Sequence, residues 1–177
     1  MNVHVVVMGV AGCGKSTVAE AIRDRLGYVM AEGDDLHPQS NVDKMAAGIP
    51  LTDEDRWPWL RLINEWMRDH DAKGESTVVS CSALKRSYRD VLREGVPVFF
   101  VHMAGSESLI GERIAARKGH FMPPALLPSQ FAALEPLQPD EPGIAISVEG
   151  DMEEMIERAV AAVRAHAAKE ERALMAR

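Results

Sequence analysis

The sequence is poor in cysteine and in aromatic residues, and it has no long apolar run. Only 2 of its 177 residues are cysteines, and 5% are aromatic. A structural disulfide is not expected in a reducing compartment. No apolar run approaches the ~20 residues that cross a bilayer, and the segment 1–5 lacks the basic start of a signal peptide. We expect a cytoplasmic protein that does not bind membranes.

Basic residues are also in the minority, since 20 Lys and Arg stand against 27 Asp and Glu, for a net charge of −7. Proteins that bind nucleic acid usually carry a basic face. We therefore expect no nucleic-acid partner, although a local basic cluster occurs at 113–118. Apolar residues make up 46% of the chain. This content and this length predict one globular domain over 1–177.

The apolar residues alternate between strand-like and helix-like spacing. Short apolar runs predict strands at 3–8, 28–31, 77–81, 98–103 and 144–148. Helical spacing predicts helices at 16–26, 41–47, 53–71, 82–92, 106–117, 129–134 and 152–169. The last residues, 170–177, are expected to fray. Strands that alternate with helices imply right-handed βαβ crossovers, so we predict a three-layer α/β fold with about five parallel strands.

A glycine-rich run follows the first predicted strand and opens the first predicted helix. It matches the GxxxxGK[ST] pattern of a P-loop and reads Gly9-Val10-Ala11-Gly12-Cys13-Gly14-Lys15-Ser16. Glycine lets the backbone wrap closely around phosphates and point its N–H groups inward. We expect Lys15 to reach the β- and γ-phosphates of a nucleoside triphosphate and the Ser16 hydroxyl to bind Mg²⁺. Among these amides Cys13 is either somewhat acidified or simply a small residue that the loop tolerates.

Two acids flank Gly33 directly after the second predicted strand, in the run Glu32-Gly33-Asp34-Asp35-Leu36-His37-Pro38. Ligands of α/β sheets collect at the carboxyl ends of the strands, so this run is expected beside the P-loop. One acid, Glu32 or Asp34, can hold the water shell of Mg²⁺, and another can accept a proton from a substrate hydroxyl. His37 can donate a hydrogen bond to an anionic or hydroxylated substrate. A solvated acidic turn is the alternative interpretation.

Arg56 and Lys85 supply positive charge near the same edge. Arg56 follows three acids at the start of a predicted helix, where it could receive a carboxylate or pair with a neighbouring acid. Lys85 is predicted on the first turn of the helix after the third strand, facing either the pocket or solvent. That strand ends between Ser80 and Ser82, without the acid of P-loop ATPases, which argues against a motor or a GTPase.

A proline-rich segment separates the fourth and fifth predicted strands and holds Pro123, Pro124, Pro128, Pro136, Pro139 and Pro142. It follows the cations Arg113, Arg117 and Lys118, with Gly119 as a hinge. We predict a lid over about 117–142 that brings cations over the transferring phosphoryl group and excludes water. A basic helix end that complements its own dipole is the alternative.

Together the motifs resemble the gluconokinases of the thermoresistant type, small P-loop kinases related to shikimate and adenylate kinases. The resemblance spans residues 3–160 and rests on the P-loop followed in order by GDDLHP at 33–38, DEDRxPWL at 53–60, CSALK at 81–85 and RKGHF at 117–121. Accompanying residues are Lys44-Met45, Tyr88-Arg89 and Gln130-Phe131. The resemblance implies a fold like that of nucleoside monophosphate kinases, a lid and a homodimer. It also implies phosphorylation of D-gluconate on its 6-hydroxyl by ATP with Mg²⁺.

The resemblance also implies residue roles at matching positions. The implied nucleotide ligands are Gly9, Ala11, Gly12, Cys13, Gly14, Lys15, Ser16, Thr17 and Arg113. The implied metal ligands are Ser16 and, through water, Glu32. The implied substrate residues are Asp34, His37, Lys44, Arg56 and Lys85, and the implied catalytic residues are Lys15, Asp34 and Arg117. Two positions depart from the family pattern, which usually has Asp in place of Glu32 and often Ser in place of Cys13.

Three functions compete for these motifs. A sugar-acid kinase would use Asp34 on a hydroxyl group and the nearby cations on a carboxylate. A nucleotide kinase has a phosphate as its acceptor and needs no general base, whereas shikimate, a hydroxylated carboxylate, stays chemically open. A nucleotide-dependent switch is disfavoured because the sequence has no Asn-Lys-x-Asp guanine motif. The sugar-acid kinase is the function that we expect.

Overall fold

The structure is a computed structural model that describes residues 2–116 and 126–177. Its strands are β1 (His4–Met8), β2 (Val29–Glu32), β3 (Thr77–Ser80), β4 (Phe99–Ala104) and β5 (Gly143–Ser147). Its helices are α1 (Lys15–Leu26), α2 (Gln39–Ala46), α3 (Asp53–Ala72), α4 (Arg86–Leu92), α5 (Glu107–Ala116), α6 (Leu126–Ala133) and α7 (Met152–Met175). A 3₁₀ turn, Gly33–Leu36, follows β2 directly. None of the described helices is long and apolar enough to span a membrane.

The strands form one sheet in the order β2-β3-β1-β4-β5, and every neighbouring pair is parallel. The central strand β1 is buried along its whole length. Its Val7 lies beside Ser80 on one side and beside Val101 on the other. The predicted α/β fold with about five parallel strands is confirmed.

Side chains that alternate along β1 divide the core into two layers. Val5 and Val7 face the layer that contains α1 and α7, whereas Val6 and Met8 face the layer that contains α3 and α4. This follows from the two-residue period of a strand, which sends neighbours to opposite faces. Helices on both faces bury the central strands β3, β1 and β4, as a parallel sheet requires, whereas the edge strand β5 is mostly exposed. The carboxyl ends of the strands form the open edge.

Gly33 fixes how closely the turn after β2 approaches β3. A Cβ atom at this position would lie 2.2 Å from the carbonyl oxygen of Ser80, so no other residue fits without moving the backbone. Trp59 of α3 also donates from Nε1 to the Gly33 carbonyl at 2.7 Å. The two constraints place Asp34, the next residue, at the open edge of the sheet.

Two predicted helix boundaries are wrong. Helix α4 begins at Arg86 and not at 82 or 83, because Ala83 has a left-handed φ of 45° and Lys85 is extended. Lys85 therefore precedes the helix and does not lie on its first turn. Helix α7 continues to Met175, whereas fraying was expected from 170. The segment 170–177 contains Glu, Arg, Ala, Leu and Met without Gly or Pro, a composition that favours helix.

The predicted lid, 117–142, is covered only in part. Residues 117–125 lie outside the described residues, and with them Arg117, Lys118 and Gly119. The remainder contains α6 and the loop that leads to β5. The lid and the single domain over 1–177 stay predictions.

Candidate active site

The P-loop joins β1 to α1 and carries the backbone conformation that its glycines predict. Gly14 is left-handed, with φ of 96°, and it caps the N-terminus of α1. The Lys15 ammonium lies back over the loop, where Nζ donates to the carbonyl oxygens of Gly9 at 3.0 Å and Val10 at 3.1 Å. The loop therefore combines inward backbone amides, a helix N-terminus and a cation, which together suit a polyphosphate.

Glu32 lies next to the end of the P-loop and joins three secondary-structure elements. Its Oε2 accepts a hydrogen bond from the Ser16 hydroxyl at 2.9 Å and another from the Ser80 hydroxyl. Ser16 belongs to α1, Glu32 to β2 and Ser80 to β3. The sequence left the metal-associated acid open between Glu32 and Asp34, and the structure puts Glu32 against the Ser16 hydroxyl.

These oxygen atoms fit a hard cation such as Mg²⁺. Mg²⁺ in kinases commonly takes one or two protein ligands and completes its octahedron with phosphates and water. The Ser16 hydroxyl and the Glu32 carboxylate match that donor set. Among the described residues no group of three or more His, Cys, Asp and Glu side chains could hold a metal ion, and a site of this kind does not need one.

A cavity of about 310 Å³ extends from the P-loop to the 3₁₀ turn after β2. Its lining residues are Ala11, Gly12, Gly14, Lys15, Ser16, Thr17, Glu32, Asp34, Ser80, Cys81, Ser82 and Gln130. Asp34 is exposed at its mouth, and within the described ranges no hydrogen bond or ion pair engages its carboxylate. A carboxylate that faces a phosphate-binding loop without a partner is available to a hydroxyl group of a substrate.

His37 follows the same turn and is held by aromatic stacking. Its ring lies parallel to that of Trp59, with 4.2 Å between centroids and 13° between planes. Asn41 of α2 places Nδ2 3.1 Å from His37 Nδ1 and also donates to the Asp55 carbonyl. Burial lowers the pKa of His37, with the Arg56 charge acting in the same direction and Asp34 acting against both. A neutral imidazole therefore lies near both Asp34 and Arg56 at neutral pH.

Lys44 and Asp55 form an ion pair between α2 and α3. Lys44 Nζ donates to Asp55 Oδ2 at 2.8 Å. The same oxygen accepts from the Thr52 amide at 2.9 Å, and Thr52 Oγ1 accepts from the Asp55 amide, which completes a capping box. Lys44 and then the Thr52 backbone lower the pKa of Asp55 to about 2. Thr52 is thus the N-cap of α3, and Lys44 is bonded to Asp55, the acid of the same capping box.

Tyr88 of α4 lies at the centre of a second charged group. Its hydroxyl donates to Asp53 Oδ1 and accepts from Arg56 Nη1 at 3.3 Å. Lys85 Nζ lies 3.4 Å from both oxygens of Asp53, and Arg56 Nη1 lies 3.7 Å from Oδ1. Both cations stand 5.6 Å from the centroid of the Tyr88 ring. The hydrogen bond from Tyr88, together with Lys85 and Arg56, holds the pKa of Asp53 below its ordinary value.

All three cations that the resemblance assigns to the substrate are therefore paired with acids in this structure. For Arg56 the sequence allowed either a substrate carboxylate or a neighbouring acid, and here the neighbour is Asp53. Tyr88 was quoted only as part of a family run, and no role followed from it. Tyr88 follows Lys85 by three residues at the start of a helix, and this spacing is the one feature of the sequence that could have predicted their contact.

A buried ion pair fixes the loop that carries Lys85. Arg89 donates from Nε to Glu141 at 2.7 Å and from Nη2 to the same carboxylate at 3.1 Å, and both side chains are fully buried. Arg89 also donates to the carbonyls of Ala83 and Leu84. Sequence reasoning missed this pair, because 52 residues separate its members.

Both cysteines are buried thiols. Burial raises the pKa of Cys13, outweighing the nearby Lys15 charge and the backbone hydrogen bonds. Burial likewise raises the pKa of Cys81 to about 12. The suggestion that the P-loop acidifies Cys13 is wrong, and the alternative of a small residue tolerated in the loop is the correct one.

Arg113 does not line the cavity. It lies on α5, and Nη2 donates to the Gly150 carbonyl at 3.0 Å, in the loop between β5 and α7. This loop adjoins the P-loop, since a Cβ atom on Gly14 would meet the Met152 side chain at 2.9 Å. The role of Arg113 at ATP stays a prediction, and Arg117 lies outside the described residues.

A phosphate-binding loop at the open edge of a parallel sheet, next to the Asp34 carboxylate and several cations, defines a P-loop kinase of a small molecule. The model of the AAA domain family matches residues 5–137. The gluconokinase of Gluconobacter oxydans (strain 621H) is 49% identical over 156 residues, which are 88% of this chain and 88% of that protein. The chain belongs to the gluconokinase family.

Solved structures agree with this assignment. A gluconokinase from Sinorhizobium meliloti 1021 has a TM-score of 0.84 and 47% identity, covering 96% of this chain and 95% of that one. An unliganded sugar kinase from Janibacter sp. HTCC2649 has a TM-score of 0.88 and 51% identity, covering 93% of this chain and 95% of that one. The predicted resemblance to gluconokinases is confirmed.

Proposed function

We propose that the chain transfers the γ-phosphoryl group of ATP to the 6-hydroxyl of D-gluconate and releases 6-phospho-D-gluconate and ADP. This is a phosphotransfer to an alcohol acceptor, EC 2.7.1.12. One observation carries the proposal: a single cavity contains both the P-loop and the carboxylate of Asp34, which no side chain of 2–116 or 126–177 engages. The hydroxyl acceptor explains why an acid stands there, because a phosphate acceptor would be repelled by it.

The nucleotide side consists of the P-loop and Lys15. Backbone amides of 9–17 bind the phosphates, while the glycines allow their close approach. Lys15 exchanges its present acceptors, the carbonyls of Gly9 and Val10, for phosphate oxygens that carry negative charge. Charge-assisted hydrogen bonds are about twice as strong as neutral ones, which favours this exchange. Arg113 and Arg117 would add charge at the phosphates from α5 and from the segment after it.

Ser16 and Glu32 would hold Mg²⁺, the first by its hydroxyl and the second through water. When bound, Mg²⁺ would supply positive charge that neutralises the negative charge developing on the phosphates. Glu32 already accepts from Ser16 and Ser80, so its carboxylate is oriented before any ligand arrives. The longer side chain of Glu, where the family usually has Asp, is consistent with contact to a metal-bound water.

Asp34 would accept a hydrogen bond from the attacking hydroxyl and orient its lone pair towards phosphorus. Phosphoryl transfer passes through a loose transition state that needs little early proton removal. Orientation therefore precedes proton transfer, and Asp34 takes the proton as the new phosphate ester forms. His37, which is neutral at neutral pH because of its burial, can bond to a hydroxyl of the substrate without competing for that proton.

Arg56, Lys85 and Lys44 would recognise the carboxylate and hydroxyl groups of gluconate. Two of these cations, Arg56 and Lys85, share Asp53, and the planar guanidinium suits a bidentate carboxylate. A substrate carboxylate replaces Asp53 in part, so recognition is an exchange of partners. A homodimer and a cytoplasmic location are further proposals, which rest on the resemblance and on the composition.

The test is ADP release coupled to a spectroscopic readout, with MgATP and a panel of acceptors. The panel contains D-gluconate, other aldonates, shikimate and AMP at equal concentrations. We expect stimulation by gluconate well above the rate without an acceptor and above all other members. No stimulation by gluconate would overturn the proposal, and a preference for AMP would move the chain to the nucleotide kinases.

A further inference from the structure

Gln130 of α6 contacts the P-loop from outside the motif. Its Oε1 accepts a hydrogen bond from the Ala11 amide at 2.6 Å, across 119 residues of sequence. The side chain also lines the cavity that contains Lys15 and Asp34. No role follows for it from the proposed reaction. A side-chain acceptor thus occupies one of the amides that a phosphate-binding loop offers to an anion.

The position of Gln130 is set by the packing of its neighbours. Leu127 is buried with 6% exposure, and Phe131 and Leu134 pack against the same core. Phe131 and Leu134 also border a small cavity together with Val10 of the loop. The apolar face of α6 therefore holds the helix against the P-loop, while Gln130 itself stays half-buried and can turn.

A glutamine amide can serve both the empty and the filled loop. Its Oε1 accepts, and its Nε2 donates two hydrogen bonds. In this structure the acceptor end faces the Ala11 N–H. An anion at that amide would take over the N–H, and half a turn of the side-chain amide would then point Nε2 at the anion. Hydrogen bonds to charged groups are stronger than those between neutral groups, so the filled arrangement favours this turn.

We propose that Gln130 is a positioning residue that senses the terminal phosphate of the bound nucleotide, by exchanging the Ala11 amide for that phosphate. A diphosphate leaves the contact between Gln130 and Ala11 in place, whereas a triphosphate replaces it. The side chain thereby distinguishes the two nucleotides, and it favours release of the diphosphate product over release of the triphosphate.

The same helix connects this contact to the acceptor side. Glu135, just beyond α6, donates from its amide to the Leu84 carbonyl at 2.7 Å and accepts from the Arg86 amide at 3.2 Å. These two bonds lie on either side of Lys85. A movement of α6 that follows the exchange at Gln130 therefore reaches the loop that carries a substrate cation.

The inference rests on the proposed use of the P-loop for ATP, and it is tested by binding instead of turnover. The affinities of fluorescent analogues of ATP and ADP are measured with Mg²⁺ for the wild type, Gln130→Ala and Gln130→Glu. We expect Gln130→Ala to weaken the ATP analogue about tenfold, the loss of one hydrogen bond to a charged group. Its ADP affinity should change less than about twofold, which also reports an intact loop. Gln130→Glu should weaken ATP further, since a carboxylate repels the terminal phosphate.

Ser129→Ala is the matched control. Ser129 lies on the same helix and donates to the Leu126 carbonyl, within its own turn, so both affinities should equal those of the wild type. Wild-type binding of both analogues with an unchanged ATP-to-ADP ratio in the Gln130 variants would overturn the inference alone. Failure of the wild type to bind the ATP analogue would overturn the proposed function together with it.

Discussion

The nucleotide side and the acceptor side of this site are built in opposite ways. The nucleotide side is mostly backbone, drawn from the consecutive residues 9–16, and its shape is set by β1, by α1 and by glycine conformations. The acceptor side is mostly side chains, drawn from α2, α3, α4 and the loop before α4. It is held by ion pairs and by a hydrogen bond from Tyr88, between residues 3 to 35 positions apart. The first surface has its backbone shape before a ligand binds, and only Lys15 and the Ala11 amide change partners there. On the second surface each of the three cations must exchange an acid for the substrate.

Because of this difference, nucleotide binding and substrate selection are performed by separate parts of the site. Backbone amides cannot be reoriented cheaply, so they suit a ligand that every kinase of this fold shares. Paired cations bind a new anion only if it competes with Asp53 or Asp55, so they select ligands whose charges match that geometry. Variants that disable one side and leave the other intact test whether the two sides act independently.

The largest effect is expected where the two sides meet, at Asp34. Asp34→Asn keeps the size of the side chain and removes its charge and its basicity. Turnover with gluconate should fall by roughly 10²–10⁴, the range for loss of a general base, while ATP affinity stays near that of the wild type. Steady-state kinetics and nucleotide binding measure the two quantities separately.

The matched control for Asp34 is Asp35→Asn. Asp35 is the next residue, is equally exposed, and does not line the cavity. It should retain wild-type turnover. Unchanged turnover in Asp34→Asn would reassign Asp34 to the structure of the turn, and a parallel loss of ATP binding would move it to the nucleotide side.

A smaller effect, confined to the nucleotide side, is expected from Glu32→Gln. The amide can still contact one of the two serines, but it no longer offers a carboxylate to a metal-bound water. Loss of such an outer-shell partner typically costs 10–100-fold in metal affinity, so the Mg²⁺ concentration for half-maximal rate should rise by about that factor. The KM for gluconate should not change. Titration of the rate with Mg²⁺ at fixed ATP gives the result.

Glu20→Gln is the matched control for Glu32, since Glu20 is an exposed acid on α1 away from the cavity. An unchanged Mg²⁺ requirement in Glu32→Gln, with a lower unfolding temperature, would show that Glu32 has only a structural role, as the hydrogen-bond acceptor that joins Ser16 to Ser80. The nucleotide side would then consist of the phosphate-binding loop without a metal site at Glu32.

The backbone-built side is also the one that the sequence predicted well. A P-loop needs its glycines, lysine and serine at fixed spacing after a strand, so the motif alone located the cavity and Lys15. The parallel sheet of about five strands followed from βαβ alternation, and the position of Asp34 directly after the second strand put it at the same edge as the P-loop. These features depend on contacts between neighbours in sequence, which one chain displays directly.

For the acceptor side, the sequence predicted which residues take part but not which of them pair with one another. Three cations were named, but only Arg56 was given a neighbouring acid as an alternative partner, and Tyr88 received no role. The pairs link positions such as Asp53 and Lys85, 32 residues apart, and Arg89 and Glu141, 52 apart. Such pairs depend on how α3 and α4 pack. The left-handed backbone of Ala83, after which α4 begins only at Arg86, was also not predictable, because this conformation is expected of glycine and not of alanine.

The smallest effect, confined to the acceptor side, is expected from Tyr88→Phe. The ring remains, so the contacts of Lys85 and Arg56 with its face persist, but the hydroxyl that bonds Asp53 and Arg56 is lost. One neutral-to-charged hydrogen bond of this kind, partly open to solvent, corresponds to a change of about three- to tenfold. The KM for gluconate should rise by that factor, with kcat and the KM for ATP nearly constant.

Tyr28→Phe separates this effect from a general response to loss of a phenol. Tyr28 is half-buried and packs against the core on the α1 side of the sheet, so its variant should match the wild type in all three constants. A rise in the KM for ATP in Tyr88→Phe would show that the two sides are not independent. Glu135, just beyond α6, bonds on both sides of Lys85, so α6 is one route for such coupling, and coupling by that route should disappear in Gln130→Ala. A double variant therefore decides whether the acceptor side is a separate device or an extension of the loop that binds ATP.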